Sequence, residues 1–293
     1  MDVSIILKLV IGALMIGSVY GVLGIGYSII YKATGLMNLA QGDFLMFGAY
    51  VGLTFFARLH LPYFIAIALT FAVMFTIGWI VQLGFINPLL EKGAKYSYII
   101  LCTAAIALVL QNSTMFIWGL RVQYFPSIFP FESVNILGAN VMPESLLVLG
   151  IAIICATGLF FFMTKTKFGT AMRAAAQNQK AASAMGINVP ITKGVTWGLA
   201  AGLAGVIGAT IGPIYGVYMM LGALIGQKAF AAAVVGGYGN IYGAVVGGFC
   251  FGFLETFIAA YVTTTYKDLI SFGVLIVVLT VMPTGIFKEP VIE

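Results

Sequence analysis

Charge is what this sequence has least of. Only 8% of its 293 residues are Asp, Glu, Lys or Arg, where a soluble globule carries about 25%. A chain that poor in charge cannot cover a water-facing surface, so a soluble fold is excluded. One histidine, His60, and three cysteines are present. His60 falls in a short loop, and Cys102, Cys155 and Cys250 fall inside apolar runs, which excludes a histidine metal centre and a disulfide framework. No G-x-x-x-x-G-K-[ST] occurs and no polar stretch is long enough for a nucleotide-hydrolysing domain. No linker, low-complexity tract or catalytic constellation appears. A net charge of +5 does not point to nucleic acid, because the basic residues sit at the ends of apolar runs, where they set orientation. No cofactor and no metal site is expected.

What is present is apolar surface, with mean hydropathy +1.09. Apolar runs cover roughly 3–31, 36–57, 62–86, 97–118, 145–163, 194–218, 221–235, 240–260 and 268–286. A helix needs about 20 residues to cross the hydrocarbon. The seventh run is short, so it is either a span or a half-helix that enters and returns. The expectation is an all-α polytopic membrane protein with eight or nine transmembrane helices, one of them broken or re-entrant, forming one domain over residues 1–293. The first run exceeds a signal-peptide core and is read as a retained span.

Lys165, Lys167, Arg173, Lys180 and Lys193 place five of 14 basic residues in one acid-free stretch, 165–193. The excess of Lys and Arg makes it cytoplasmic. Alternation then puts Lys32 and the 91–95 loop inside, and the 57–62 turn, the 119–144 loop (Arg121, Glu132, Glu144) and the N-terminus outside. Lys288 alone does not settle the side of the C-terminus. On a helix from Ala171 to Gly186, Arg173, Gln177, Lys180 and Ala184 share one arc. Ala171, Ala174, Ala175, Ala181, Ala182 and Met185 share the opposite one, with Asn178 in its middle. Thr170 is the expected N-cap and Gly186 the C-terminal stop. Such an element is either a dock for a partner or a basic loop touching anionic headgroups.

The stretch "FGTAMRAAAQNQKAASAMGIN" resembles the cytoplasmic coupling segment of ABC-importer permeases of the branched-chain amino acid family, the LivH-type membrane subunit. "TGLMNLAQGDFLMFGAYV", "GQKAFAAAVVGGYGNIYGAVVGG" and "YKDLISFGVLIVVLTVMPTGIF" match the same family in order. Members usually carry His or a similar residue before the G-[DE] pair, and here Gln41 stands there. The resemblance implies a transport subunit without its own ATPase site, in a bacterial inner membrane. It implies a second homologous permease subunit, two cytoplasmic ABC ATPases and an extracytoplasmic solute-binding protein, with lipid around them. Arg173, Gln177, Asn178, Lys180 and Gly186 would then couple to the ATPase. The implied cargo is a branched-chain or other hydrophobic amino acid, with urea, short amides and other amino acids as alternatives.

Asp43, Lys228 and Glu255 lie within or at the edge of apolar runs, where a charge costs about 3 kcal/mol or more unless paired or wet. Lys228 is the leading partner for Glu255, with Asp43 competing. "MNLAQGDF" groups Asn38, Gln41 and Asp43 beside Gly42, and "MLGALIGQKAF" groups Gln227 and Lys228 beside Gly226. Both join a polar, glycine-bearing turn to a helix start, which hints at a repeat with a broken helix in each half. Asn38, Gln41, Asp43, Lys228 and Glu255 are the candidates for a translocation path or its intramembrane polar lining. The rival reading is a secondary carrier or channel with Asp43, Lys228 and Glu255 as its ion or proton relay, and a third is a membrane scaffold. Gly198, Gly202 and Gly205 recur at helical spacing and suit close helix packing.

Overall fold

Lipid cannot hydrogen-bond a peptide group, so each apolar run must satisfy its own backbone, and each does so as a helix. The computed structural model describes residues 3–126, 128–131, 133–136, 138–282 and 284–287; Glu132 and Lys288 lie outside them. In chain order come α1 (Val3–Thr34), α2 (Gln41–Leu53, continued by a π turn Thr54–Arg58) and α3 (Tyr63–Val81). A second π turn, Gln82–Ile86, carries α3 into α4 (Asn87–Glu91), and α5 (Tyr96–Trp118) follows. A hairpin of β1 (Val134–Ile136) and β2 (Ala139–Val141) precedes α6 (Pro143–Lys165). Then come α7 (Lys167–Gln177), α8 (Gln179–Ala184), α9 (Val189–Tyr215), α10 (Leu221–Gly236), α11 (Ile241–Tyr261) and α12 (Lys267–Val281). Among the described residues six helices are long and apolar enough to cross a membrane, and α10 is a shorter apolar one.

Two of the long helices end in the same way. α1 stops at Gly35 (φ +70°) and α9 at Gly216 (φ +72°), left-handed positions that glycine takes without a Cβ clash. A short non-helical link follows each, and each next helix opens from a residue of nearly identical backbone, Ala40 (φ −81°, ψ −1°) and Met220 (φ −85°, ψ −4°). The packing repeats too: α1 lies on α11 and α10 as α9 lies on α3 and α2. The units α1–α2–α3 and α9–α10–α11 therefore form a repeat. α1 descends to the face that carries α7 and α8, whereas α9 leaves that face, so the repeat is inverted. α2 and α10 cross at their first turns, where a Cβ on Gly42 would strike the Gly222 carbonyl and the Gly226 backbone.

The two links hold non-helical backbone inside the protein, so protein groups must take its polar atoms. Leu39 N donates to Thr103 Oγ1 at 3.2 Å and Ala40 N to Asn38 Oδ1 at 3.0 Å. Gln123 and Val217 exchange backbone hydrogen bonds of 2.9 and 2.8 Å. That exchange puts the α9–α10 link beside the end of α5. At the other end, the Tyr31 and Tyr238 rings meet at 4.6 Å, and Ile286 N and Phe287 N donate to the carbonyls of Val235 and Gly236. α10 thus passes from one face to the other. The seventh run is a crossing whose entry is unwound, not a re-entrant loop, and Phe287 lies on the same face as α7 and α8. The centre of the molecule is α9, buried almost continuously from Thr192 to Gly212.

Candidate translocation and coupling sites

Where α2 and α10 cross, their N-terminal turns frame a cavity of about 300 Å³. Asp43 lies in the first turn of α2 and is 4% exposed. Gln111 of α5 donates Nε2–H to its Oδ1 at 2.9 Å. Gln227 on α10 and the Tyr27 and Phe230 rings also line it, and among the described residues no cation does. The rings meet edge-on at 5.4 Å, and Tyr27 Oη donates to the Gly226 carbonyl at 3.2 Å. Two helix N-termini give this cavity positive dipole ends, and Asp43 gives it one negative charge. Gln227 of α10 and Asn112 of α5 are exposed in the midst of membrane helices. A polar side chain there is costly against lipid, so this face is the one suited to a partner subunit or an aqueous path.

Asn38 and Gln41 sit beside this cavity but do not line it. Asn38 Nδ2 donates to Gln41 Oε1 at 3.2 Å, and Gln41 Nε2 to the Ala200 carbonyl at 3.0 Å. Both are fully buried. They clip the α1–α2 link to α9. Gln111 was not among the candidates from sequence. Its signal was the run Gln111-Asn112-Ser113-Thr114, four polar residues in the middle of an apolar stretch, more than a helix surrounded by lipid can carry cheaply.

Lys228 and Glu255 form a separate cluster. Lys228 Nζ lies 2.5 Å from Glu255 Oε1 and 2.8 Å from Asp268 Oδ1. Lys267 Nζ reaches Glu255 at 3.0 Å, and the buried Tyr20 hydroxyl donates to its other oxygen at 2.6 Å. Two cations meet two anions, so the cluster is neutral. It ties α10, α11 and α12 to α1. The competition for Glu255 is resolved for Lys228. Asp43 bonds Gln111 instead, and no hydrogen bond among the described residues joins it to the cluster.

The basic segment differs from the single helix expected from Ala171 to Gly186. It is two helices, broken at Asn178 in an extended conformation (φ −153°, ψ 104°). Asn178 is no member of an apolar arc. Its Oδ1 accepts from Ala181 N at 3.0 Å and caps α8, a role that Asn fills better than a helix interior. The N-cap of α7 is Thr166, not Thr170, because Thr166 Oγ1 accepts from Gly169 N at 2.9 Å. Gly186 is left-handed (φ +83°) and ends α8. Met172, Ala175 and Ala182 are buried, while Ala181 and Met185 are exposed, which corrects the expected packing arc. Arg173, Gln177, Lys180 and Ala184 are all exposed. Lys193 Nζ donates to Gln179 Oε1 at 2.9 Å and pins α8 to α9.

A family described as "Branched-chain amino acid transport system / permease component" matches residues 9–279. The chain belongs to this permease family. It is 32% identical to the high-affinity branched-chain amino acid transport system permease protein LivH of Escherichia coli (strain K12), over 95% of this chain and 94% of that one. It is 31% identical to the permease protein BraD of Pseudomonas aeruginosa, over 98% and 97% respectively. A probable LivH of Methanocaldococcus jannaschii is 29% identical over 62% of this chain and 58% of the relative. The permease is a multi-pass protein of the cell membrane, and its role is transport. Two places in it stand out: the α2–α10 crossing among the membrane helices, and the α7–α8 pair packed beside the start of α9.

Proposed function

We propose that this permease is the membrane subunit of an ABC importer that moves branched-chain or other hydrophobic amino acids across the cytoplasmic membrane. It pairs with a second homologous permease subunit and works by alternating access, driven by two cytoplasmic ATPases and supplied by an extracytoplasmic binding protein. The observation that carries this reading is the α7–α8 pair. It is polar and basic on its exposed side, held to α9 on its buried side, and has a defined stop at Gly186. A loop that only sets topology needs charge but no shape, and a self-driven carrier has no use for such a dock. Arg173, Gln177, Asn178, Lys180 and Gly186 are the coupling residues, and residues 165–193 are cytoplasmic. The cavity at the α2–α10 crossing supports the cargo class. A zwitterion can set its ammonium against Asp43 and its carboxylate against the helix N-termini, with Tyr27 and Phe230 for an apolar side chain.

The test is reconstitution with the ATPases and the loaded binding protein. Lys180→Glu and Gly186→Val should each leave the permease inserted in the membrane yet lower binding-protein-stimulated ATP hydrolysis and uptake tenfold or more. If both variants stay coupled, the segment is not the dock.

A further inference from the structure

α6 and α11 both lie on α1, and the trough between them holds two cavities. The first, of about 270 Å³, opens at the face that carries α7. Lys32 at the end of α1 and Arg173 of α7 line it, with Asn240 and Tyr242 at the start of α11 and Phe160 of α6. Among the described residues its lining holds two cations and no acid. The second, of about 130 Å³, lies deeper between the same three helices. It is bounded by Ser18 and Val22 of α1, Ala152 and Ala156 of α6, and Val245 and Phe249 of α11, and is almost wholly apolar.

The two cavities are in line. From Lys32 back to Val22 is ten residues of α1 and to Ser18 fourteen, which at 1.5 Å per residue is about 15 and 21 Å. Half of a ~30 Å hydrocarbon core is about 15 Å. In the wall of the first cavity the Phe160 and Tyr242 rings meet edge-on at 5.8 Å across the trough, at the depth where aromatic side chains mark the membrane interface. A two-cation mouth, an aromatic collar and an apolar pocket one leaflet deeper repeat the layout of an anionic phospholipid.

We infer that the α1–α6–α11 trough is a binding site for an anionic phospholipid, with its phosphate between Lys32 and Arg173 and an acyl chain in the inner pocket. The lipid would join α7, an extramembrane element, to the membrane ends of α1 and α11, so that the basic helix is fastened by lipid as well as by protein.

The purified complex containing the full chain tests this. Retained lipid is read by native mass spectrometry, and the thermal midpoint is read after adding dioleoyl phosphatidylglycerol, dioleoyl phosphatidylcholine or inorganic phosphate. Phosphatidylglycerol should be retained and should raise the midpoint, whereas the other two should not. Lys32→Gln should cut the preference for phosphatidylglycerol about fivefold, the equivalent of about 1 kcal/mol for one basic contact with an anionic lipid. Ala156→Leu, which fills the inner pocket and touches no charge, should lower retention with Lys32 intact. The inference fails if phosphatidylcholine binds as well as phosphatidylglycerol, if free phosphate protects equally, or if both variants retain phosphatidylglycerol like the parent.

Discussion

The Glu255 cluster allows the sharpest test of the packing argument. Glu255 is 5% exposed and accepts from Lys228, Lys267 and Tyr20. Glu255→Gln keeps the volume and one acceptor oxygen but removes the charge. Lys228, 8% exposed, then keeps as its anionic partner Asp268, whose side chain is half in solvent. Breaking a buried pair from one side costs about 3–5 kcal/mol. The remaining contacts place this case near about 3 kcal/mol. At about 2–4 °C per kcal/mol for a chain of this order of size, the thermal midpoint falls by roughly 6–12 °C. Asp268→Asn touches only the exposed arm and should cost about 1 kcal/mol or less. The informative variant is the double one, Lys228→Met with Glu255→Leu. Removing both charges leaves no unpaired buried ion, so it should be more stable than Glu255→Gln alone. The assay is thermal unfolding of the purified permease in lipid nanodiscs, with all variants at equal lipid content. If the double variant is as unstable as the sum of its singles, the penalty does not come from an orphaned charge and the reasoning is wrong.

Three further outcomes follow from the geometry. Asp43→Asn should lower the uptake rate at least tenfold with little change in midpoint, measured in proteoliposomes, because Asn still accepts from Gln111 but offers no charge to a cationic group. Gly42→Leu should prevent folding outright, seen as loss of a monodisperse complex, because the α2–α10 crossing leaves no room for a side chain. A cysteine placed at Gln179, in a variant without Cys102, Cys155 and Cys250, should react with an impermeant thiol reagent only from the cytoplasmic side; labelling from outside in intact cells would overturn the orientation.

Hydropathy alone determined the class and the runs, because in lipid an apolar stretch of sufficient length has no folded alternative to a helix. Each of the nine runs is one, with ends within a few residues of those expected. The basic, acid-free 165–193 stretch and the stop at Gly186 were likewise legible, since charge composition and a left-handed glycine are local properties. Tertiary structure alone decided the rest. Whether the seventh run crosses depends on where its ends pack, against Gln123 at one side and Tyr31 at the other, and both partners are distant in sequence. Asn178 reads as a helix residue by periodicity, yet its side chain caps α8 more favourably than it fills α7. Asn38 and Gln41 share a polar turn with Asp43, but α9 takes the first two and the cavity takes the third. Lys228 was the leading partner for Glu255 from sequence, with Asp43 competing. The direction of α10 brings Lys228 to α11, while the start of α2 turns Asp43 toward α5. A buried charge announces in sequence that it must have a partner, and the packing of helices chooses which one.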